Sequence, residues 1–173
     1  RFNCKITDIL TIEENSCKSI SGIKIKNVKN GEEYELACDN LCLAIGHSAR
    51  DTFEMLQKRG VYMEPKSFAV GLRIEHPQEM INMDLYGEPE NELLGAASYK
   101  VTHKCANGRG VYSFCMCPGG YVVNASSEED MLAVNGMSYQ ARDSHNANSA
   151  IIVTVNPSDF PEEGVLGGIA LQR

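Results

Sequence analysis

The sequence lacks the features by which proteins enter membranes or bind nucleic acid. No apolar run approaches the ~20 residues that a membrane-spanning helix needs. Lysine and arginine never cluster beyond a pair, and the formal net charge is −7. A surface that binds nucleic acid or an anionic membrane needs a basic patch. We therefore predict no nucleic-acid partner and no membrane partner.

The sequence also lacks a signal peptide and an evenly paired set of cysteines. It opens with "RFNCKITDIL", which has no initial Met and no charged-then-apolar pattern. Its cysteines number seven, whereas a secreted disulfide scaffold is shorter and evenly paired. We expect a cytoplasmic protein. Because both ends read as interrupted strands, we also expect an excised piece of a longer chain.

What is present is the composition of a globular protein, with 43% hydrophobic and 23% charged residues. The first 40 residues alternate as strands do, over 3–12, 20–28 and 32–38. Asn30-Gly31 between the last two is a strong hairpin signal. These patterns predict a small antiparallel meander.

A strand followed by a helix is predicted next. The run "LCLAIG" is continuously apolar over 41–46, which is typical of a strand buried on both faces of a parallel sheet. Residues 49–58 have helical periodicity, with Ser48 as N-cap and Gly60 beyond the C-terminal end.

The remainder mixes strands with one short helix. The helix is "PQEMINMDLYG", with Pro77 at its first position. Asn135-Gly136 is among several predicted turns. The predicted strands are 68–76, 96–104, 110–115, 120–125, "SAIIVTV" and "GGIALQR". The fold class that follows is α+β and strand-rich.

Gly46-His47-Ser48 can be read in two ways. A nucleophile elbow is G-x-S-x-G, but Arg50 replaces the last glycine, so a helix cap is favoured over a catalytic serine. The end of a parallel strand is also where ligands bind, and Gly46 would let the backbone approach a nucleotide.

Cys115 and Cys117 are two residues apart, so on a regular strand they would face the same side. The spacing suits neither structural zinc nor a C-x-x-C redox pair, and we predict no metal site. Pro118-Gly119-Gly120 either offers backbone N–H groups to a ligand or forms a tight turn between strands whose sulfurs are buried. The polar run 138–148, with Asn146 and Asn148, is either a solvated loop or part of a polar binding site.

Four segments together resemble the signature blocks of uncharacterised FAD-dependent dehydrogenases, which are bacterial flavoproteins of the two-dinucleotide-binding-domain superfamily. The segments are "AIGHSARDTFEML", "FAVGLRIEHPQE", "GRGVYSFCMCPGGYVV" and "NGMSYQARDSHNANSA". The resemblance implies that residues 1–62 are part of an FAD-binding domain with one Rossmann-type strand and helix. It further implies an inserted mixed α/β domain over 63–157, after which the chain returns toward the FAD-binding domain over 158–173. No G-x-G-x-x-G follows a strand here, so the pyrophosphate cradle is expected upstream.

The resemblance also implies a function, namely electron or hydride transfer by FAD in the full-length protein, with the fragment alone inactive. The inserted domain would cover the flavin and shape the pocket of an unidentified small-molecule substrate, and the rest of the FAD-binding domain would be its partner. The alternatives are a non-catalytic binding or regulatory module and, less favoured, a serine hydrolase using Ser48. The expected catalytic residues are Cys115 and Cys117, and the expected cofactor contacts are Gly46, His47, Ser48, Gly119, Gly120, Asn146 and Asn148.

Overall fold

The computed structural model describes all 173 residues, and the chain divides into two compact units. The first unit comprises Arg1–Pro65 with Gly164–Ile169, and the second comprises Lys66–Glu163 with Ala170–Arg173. Strands predominate, every strand pair is antiparallel, and the helices are short. The α+β, strand-rich class is confirmed at this level. No helix is long and apolar enough to span a bilayer.

The first unit is built on the predicted meander. Its three strands pair in the order β1-β2-β3, with bounds β1 Cys4–Glu14, β2 Cys17–Asn27 and β3 Glu33–Ala37. Gly31 has φ +76°, and its N–H donates to the Asn27 carbonyl oxygen at 2.8 Å. The predicted hairpin is therefore confirmed. The strands and the following helix bury a small core of Ile9, Ile23, Ile25 and Leu56.

Helix α1 spans Arg50–Lys58, within one residue of its predicted start. Gly60 follows it with φ +71°, as expected for a glycine that ends a helix. The predicted cap is wrong, because Ala49 rather than Ser48 occupies the N-cap position. The helix begins one residue later than a Ser48 cap requires.

The predicted parallel strand over 41–46 is also wrong. These residues have no regular secondary structure, and Leu43 and Ile45 are 41% and 37% exposed. A strand buried on both faces needs hydrogen-bonded neighbours and covering layers. The sheets of this chain are antiparallel, and none of them includes these residues.

The second unit contains a four-stranded sheet and a separate hairpin. The sheet has the order β4-β9-β6-β5, and β7 pairs with β8. Helix α2, Gln78–Tyr86, follows β4 directly, so Pro77 is its N-cap rather than its first residue. The strand bounds are β4 Phe68–Pro77, β5 Thr102–Lys104, β6 Gly110–Cys117, β7 Gly120–Asn124, β8 Val134–Ser138 and β9 Asn146–Val155.

Three further predictions are wrong. Asn135-Gly136 lies inside β8 instead of forming a turn, because both residues pair with β7. The strand predicted over 96–104 is reduced to β5. The C-terminal "GGIALQR" forms helix α3, Gly167–Gln172, rather than a strand. Ala, Leu and Gln are good helix formers, and no strand pairs with this segment.

Two sets of side-chain contacts, one buried and one partly exposed, connect elements of the second unit. The buried Gln78 side chain donates from Nε2 to Asn82 Oδ1 at 2.8 Å and to the Ala97 carbonyl oxygen at 2.9 Å. Near the start of β6, Arg109 forms an ion pair with Asp159, in which Nη1 donates to Oδ2 at 2.9 Å. These contacts fix α2 and the segment after β9.

Candidate functional site

One face of the four-stranded sheet carries a polar cluster where the β7–β8 hairpin packs against it. Arg73 and Glu75 are alternate residues of β4, and Glu75 is directly opposite Asn148 of β9. Residues opposite each other in an antiparallel pair project from the same face. The register also places Cys117 of β6 opposite Asn148. Three strands therefore supply side chains to one place.

Arg73 is the centre of this cluster. The side chain is half-buried, and Nη1 donates to Asn148 Oδ1 at 2.6 Å and to the Cys115 carbonyl oxygen at 3.0 Å. Nη2 makes one long contact of 3.5 Å with Asn135 Oδ1. The guanidinium is thus fixed by neutral acceptors from three neighbouring strands.

Asn148 accepts a hydrogen bond from Arg73 and is enclosed by the β7–β8 hairpin. Its side chain is 0% exposed, and its Nδ2 has no hydrogen-bond partner. A Cβ added at Gly136 would lie 2.1 Å from Asn148 Oδ1 and 2.3 Å from Arg73 Nη1. Only glycine allows the backbone of β8 to come this close. A buried donor without an acceptor costs about 1–3 kcal/mol, so the cluster retains one unsatisfied hydrogen-bonding group.

Glu75 joins the hairpin to the sheet. Oε2 accepts a hydrogen bond from the Val122 N–H at 2.7 Å, and Oε1 accepts one from Asn146 Nδ2 at 2.6 Å. These donors, chiefly the Val122 N–H, together with the nearby His76, hold the pKa of the Glu75 carboxyl below its ordinary value. Glu75 therefore stays ionised, and both of its oxygens are used within the chain.

The two expected catalytic cysteines lie on an irregular part of β6. The pairing with β9 shifts between Phe114 and Cys117, and Cys115 has φ +45°. A bulge of this kind breaks the alternation of side chains, so the premise that both thiols share one side of a regular strand is wrong. Cys115 is exposed and Cys117 is half-buried, with Cys117 Sγ 3.4 Å from the Cys115 carbonyl oxygen.

The Pro118-Gly119-Gly120 turn is packed by the protein itself. The Gly119 N–H donates to Gln78 Oε1 at 2.8 Å. A Cβ at Gly119, whose φ is +53°, would lie 1.9 Å from the Arg142 carbonyl oxygen. The glycines here permit close contact between two backbone segments. The Gly119 N–H is therefore already used within the fold.

The other expected contacts lie in the first unit. Gly46 has φ +69° with open space where a Cβ would project, and His47 is exposed. Ser48 precedes α1, and its carbonyl oxygen accepts a hydrogen bond from the Arg50 N–H at 2.9 Å. Of the expected site residues, the second unit brings together Cys115, Cys117, Asn146 and Asn148.

Sequence reasoning missed Arg73 and Glu75. Both are in "FAVGLRIEHP", where charged residues alternate with Leu72, Ile74 and His76. Two charges at alternate positions of an otherwise apolar strand indicate a polar face, and this signal was available. Their partners on β7, β8 and β9 depend on pairing that the sequence does not specify. No group of three or more His, Cys, Asp or Glu side chains is arranged to hold a metal ion.

Comparisons with known proteins give a family and one relative. Residues 67–173, more than half of the chain, match the family described as "FAD-dependent protein, C-terminal domain-like". An uncharacterized protein of Clostridium beijerinckii (strain ATCC 51743 / NCIMB 8052) is 51% identical over 174 residues. The match covers 99% of this chain and 31% of that relative.

Proposed function

Because this chain belongs to the family "FAD-dependent protein, C-terminal domain-like", we propose that it is part of an FAD-dependent oxidoreductase. In this proposal the chain is an internal piece of a two-dinucleotide-binding-domain flavoprotein. The second unit faces the flavin and shapes the substrate pocket. The family match supports the flavoprotein assignment, and the 31% coverage of the relative supports a longer parent protein.

The observation that carries the pocket assignment is the polar cluster around Arg73. It combines a half-buried guanidinium, a buried amide with an unpartnered Nδ2 and the backbone carbonyl of Cys115, a residue that is exposed. Small-molecule sites typically place a few convergent polar groups on a preformed scaffold. Rigid strands hold this cluster, so a substrate would meet prearranged donors.

The residues of this chain do not fit the pyrophosphate of FAD. The Gly119 N–H, which would begin an anion-binding turn, is already bonded to Gln78. No G-x-G-x-x-G is present in the sequence. The open space at Gly46 suits a backbone approach to another part of the cofactor. We therefore assign the pyrophosphate to a segment of the longer protein and derive no step of the reaction through it.

In the full-length protein FAD would supply the electron-transfer chemistry, and this chain would supply binding and orientation. Asn148 positions the Arg73 guanidinium, and Arg73 in turn holds the Cys115 backbone through its carbonyl oxygen. Glu75 fixes the hairpin by accepting the Val122 N–H. Cys115 is the exposed group that a substrate would contact.

The test is made on the full-length protein that contains this chain. We expect the purified protein to carry FAD, recognised by its visible absorption and identified after release. We expect Cys115→Ser and Asn146→Ala each to lower turnover by about tenfold or more, because each alters the proposed pocket. Cys17→Ser, which changes an exposed cysteine of the first unit, is the matched control. Absence of flavin, or full turnover in both pocket variants, would contradict the proposal.

A second candidate, a non-catalytic binding module, is favoured by a cleft on the opposite face of the sheet. The cleft has a volume of about 350 Å³ and lies among β4, α2 and residues 99–101, with mainly apolar walls. Its polar lining residues are His76, Asp84 and Tyr99, and His76 Nε2 lies 2.9 Å from Tyr99 Oη. A full-length protein that lacks flavin would favour this role. For the serine hydrolase alternative, labelling of Ser48 by a fluorophosphonate is the test, and we expect none.

A further inference from the structure

Arg73 forms none of the ion pairs of this chain. The ion pairs of the structure join other residues, and the contacts of Arg73 are all with neutral oxygens. Glu75, two positions along the same face, already uses both oxygens on Val122 and Asn146. A half-buried guanidinium gains from an anionic partner, because the hydrogen bonds between them are then charge-assisted. Arg73 therefore has unused capacity for an anion.

The free donors of Arg73 have a definite geometry. A guanidinium has five N–H groups in a planar fork, and the two on Nη1 are used by Asn148 and Cys115. The edge formed by Nε and Nη2 has only the long 3.5 Å contact to Asn135. Such an edge matches the two oxygens of a carboxylate, which accept two parallel hydrogen bonds from it.

The amide that holds the guanidinium is itself buried and only partly hydrogen-bonded. Asn148 is fully enclosed, and its Nδ2 is a buried donor without an acceptor. Oδ1 of the same amide is bonded to Arg73, so the unused donor belongs to the cluster. The unused charged donors of the cluster therefore lie on the Nε–Nη2 edge of Arg73, and the carboxylate of Glu75 is bonded to Val122 and Asn146 rather than to Arg73.

We propose that the Arg73 site binds the carboxylate group of the substrate, next to Cys115, whose carbonyl oxygen accepts a hydrogen bond from Arg73. The inference rests on the proposed function, because it names the substrate class of the same pocket. The Nε–Nη2 edge of Arg73 pairs with both carboxylate oxygens. Asn148 keeps the guanidinium in the orientation that presents this edge.

The experiment is isothermal titration calorimetry on the full-length protein at low ionic strength, where charge pairing is least screened. Benzoate is the probe, and benzamide is its neutral counterpart of similar shape. We expect benzoate to bind and benzamide to bind at least about tenfold more weakly, because only the carboxylate forms the charged pair. Phenylphosphonate, titrated in parallel, tests whether the site prefers a tetrahedral anion, which would overturn the assignment to carboxylate.

Three variants separate the roles of charge and geometry. Arg73→Gln should weaken benzoate binding about tenfold or more, and Arg73→Lys should weaken it too, because lysine keeps the charge but loses the fork. Asn148→Asp places an anion beside Arg73 and should also abolish binding. It keeps the side-chain volume, so it tests the proposal even if Arg73→Gln fails to fold. Lys104→Gln removes an exposed positive charge of the same sheet and should leave binding unchanged.

The outcomes distinguish the two proposals. Equal benzoate affinity in wild type and both Arg73 variants, or no benzoate binding to a protein that contains flavin, would overturn the carboxylate site alone. A protein that binds benzoate through Arg73 but contains no flavin would overturn the oxidoreductase proposal alone.

Discussion

Substituting Gly136 by alanine tests whether close backbone contact holds the Arg73 cluster together. The new Cβ would lie 2.1 Å from Asn148 Oδ1, 2.3 Å from Arg73 Nη1 and 2.8 Å from Cys117 Sγ. Asn148 is fully enclosed, so it cannot move away without disturbing β9. Overpacking of this kind costs about 1–3 kcal/mol. Weakening the charged hydrogen bond between Arg73 and Asn148 adds to this cost.

We therefore expect Gly136→Ala to lower the free energy of unfolding by about 2–4 kcal/mol. In a unit of about 100 residues this lowers the melting temperature by about 10 °C or more. The chain has no tryptophan, so urea denaturation is followed by far-ultraviolet circular dichroism. Amide hydrogen exchange in β9 reports the second unit separately.

Gly110→Ala is the matched control. Gly110 begins β6 in the same sheet, and a Cβ there would have no atom within 4 Å. Replacing an unstrained glycine by alanine stabilises the folded protein by about 0.4–1 kcal/mol, because alanine lowers the conformational entropy of the unfolded chain. We expect this variant to be at least as stable as the wild type. If Gly136→Ala unfolds at the same urea concentration as Gly110→Ala, with an equal m-value, the argument from close packing is wrong.

Two other predictions concern hydrogen bonds of the second unit. Gln78→Ala should cost about 2–4 kcal/mol in urea denaturation, because it leaves the buried Gly119 N–H without its acceptor; unchanged stability would show that Gln78 is dispensable. Hydrogen bonds from Arg109, and then from the Asn156 N–H, lower the pKa of Asp159 from 3.8 to about 2. A lowered folded-state pKa gives stability that is present above pH 4 and lost as the pH falls through 2. Asp159→Asn should therefore reduce the loss of stability between pH 5 and 2, and an acid-unfolding profile identical to that of the wild type would contradict this.

The local features of the fold were the ones that sequence patterns could predict. The Asn30-Gly31 hairpin, helix α1 and the glycine that follows it depend on residues within a few positions of one another. Strands β4 and β9 were predicted because both segments are rich in apolar and β-branched residues. The wrong predictions concern segments whose secondary structure depends on pairing with another strand. The apolar run 41–46 is no strand because it has no pairing partner, and Asn135-Gly136 becomes a strand because β7 pairs with it.

The same distinction between local pattern and strand pairing applies to the candidate site. The sequence by itself indicated that Cys115, Cys117, Asn146 and Asn148 belong to polar, chemistry-bearing segments, and it pointed to the flavoprotein family. Only the tertiary structure decided that Arg73 is their common partner, because residues 75 positions apart meet through the register of β4 with β9. It also decided that Cys115 projects from a bulge and that Gly136 encloses Asn148. The physical reason is that a sequence pattern specifies which face of a strand is polar, whereas strand pairing specifies which other strands share that face.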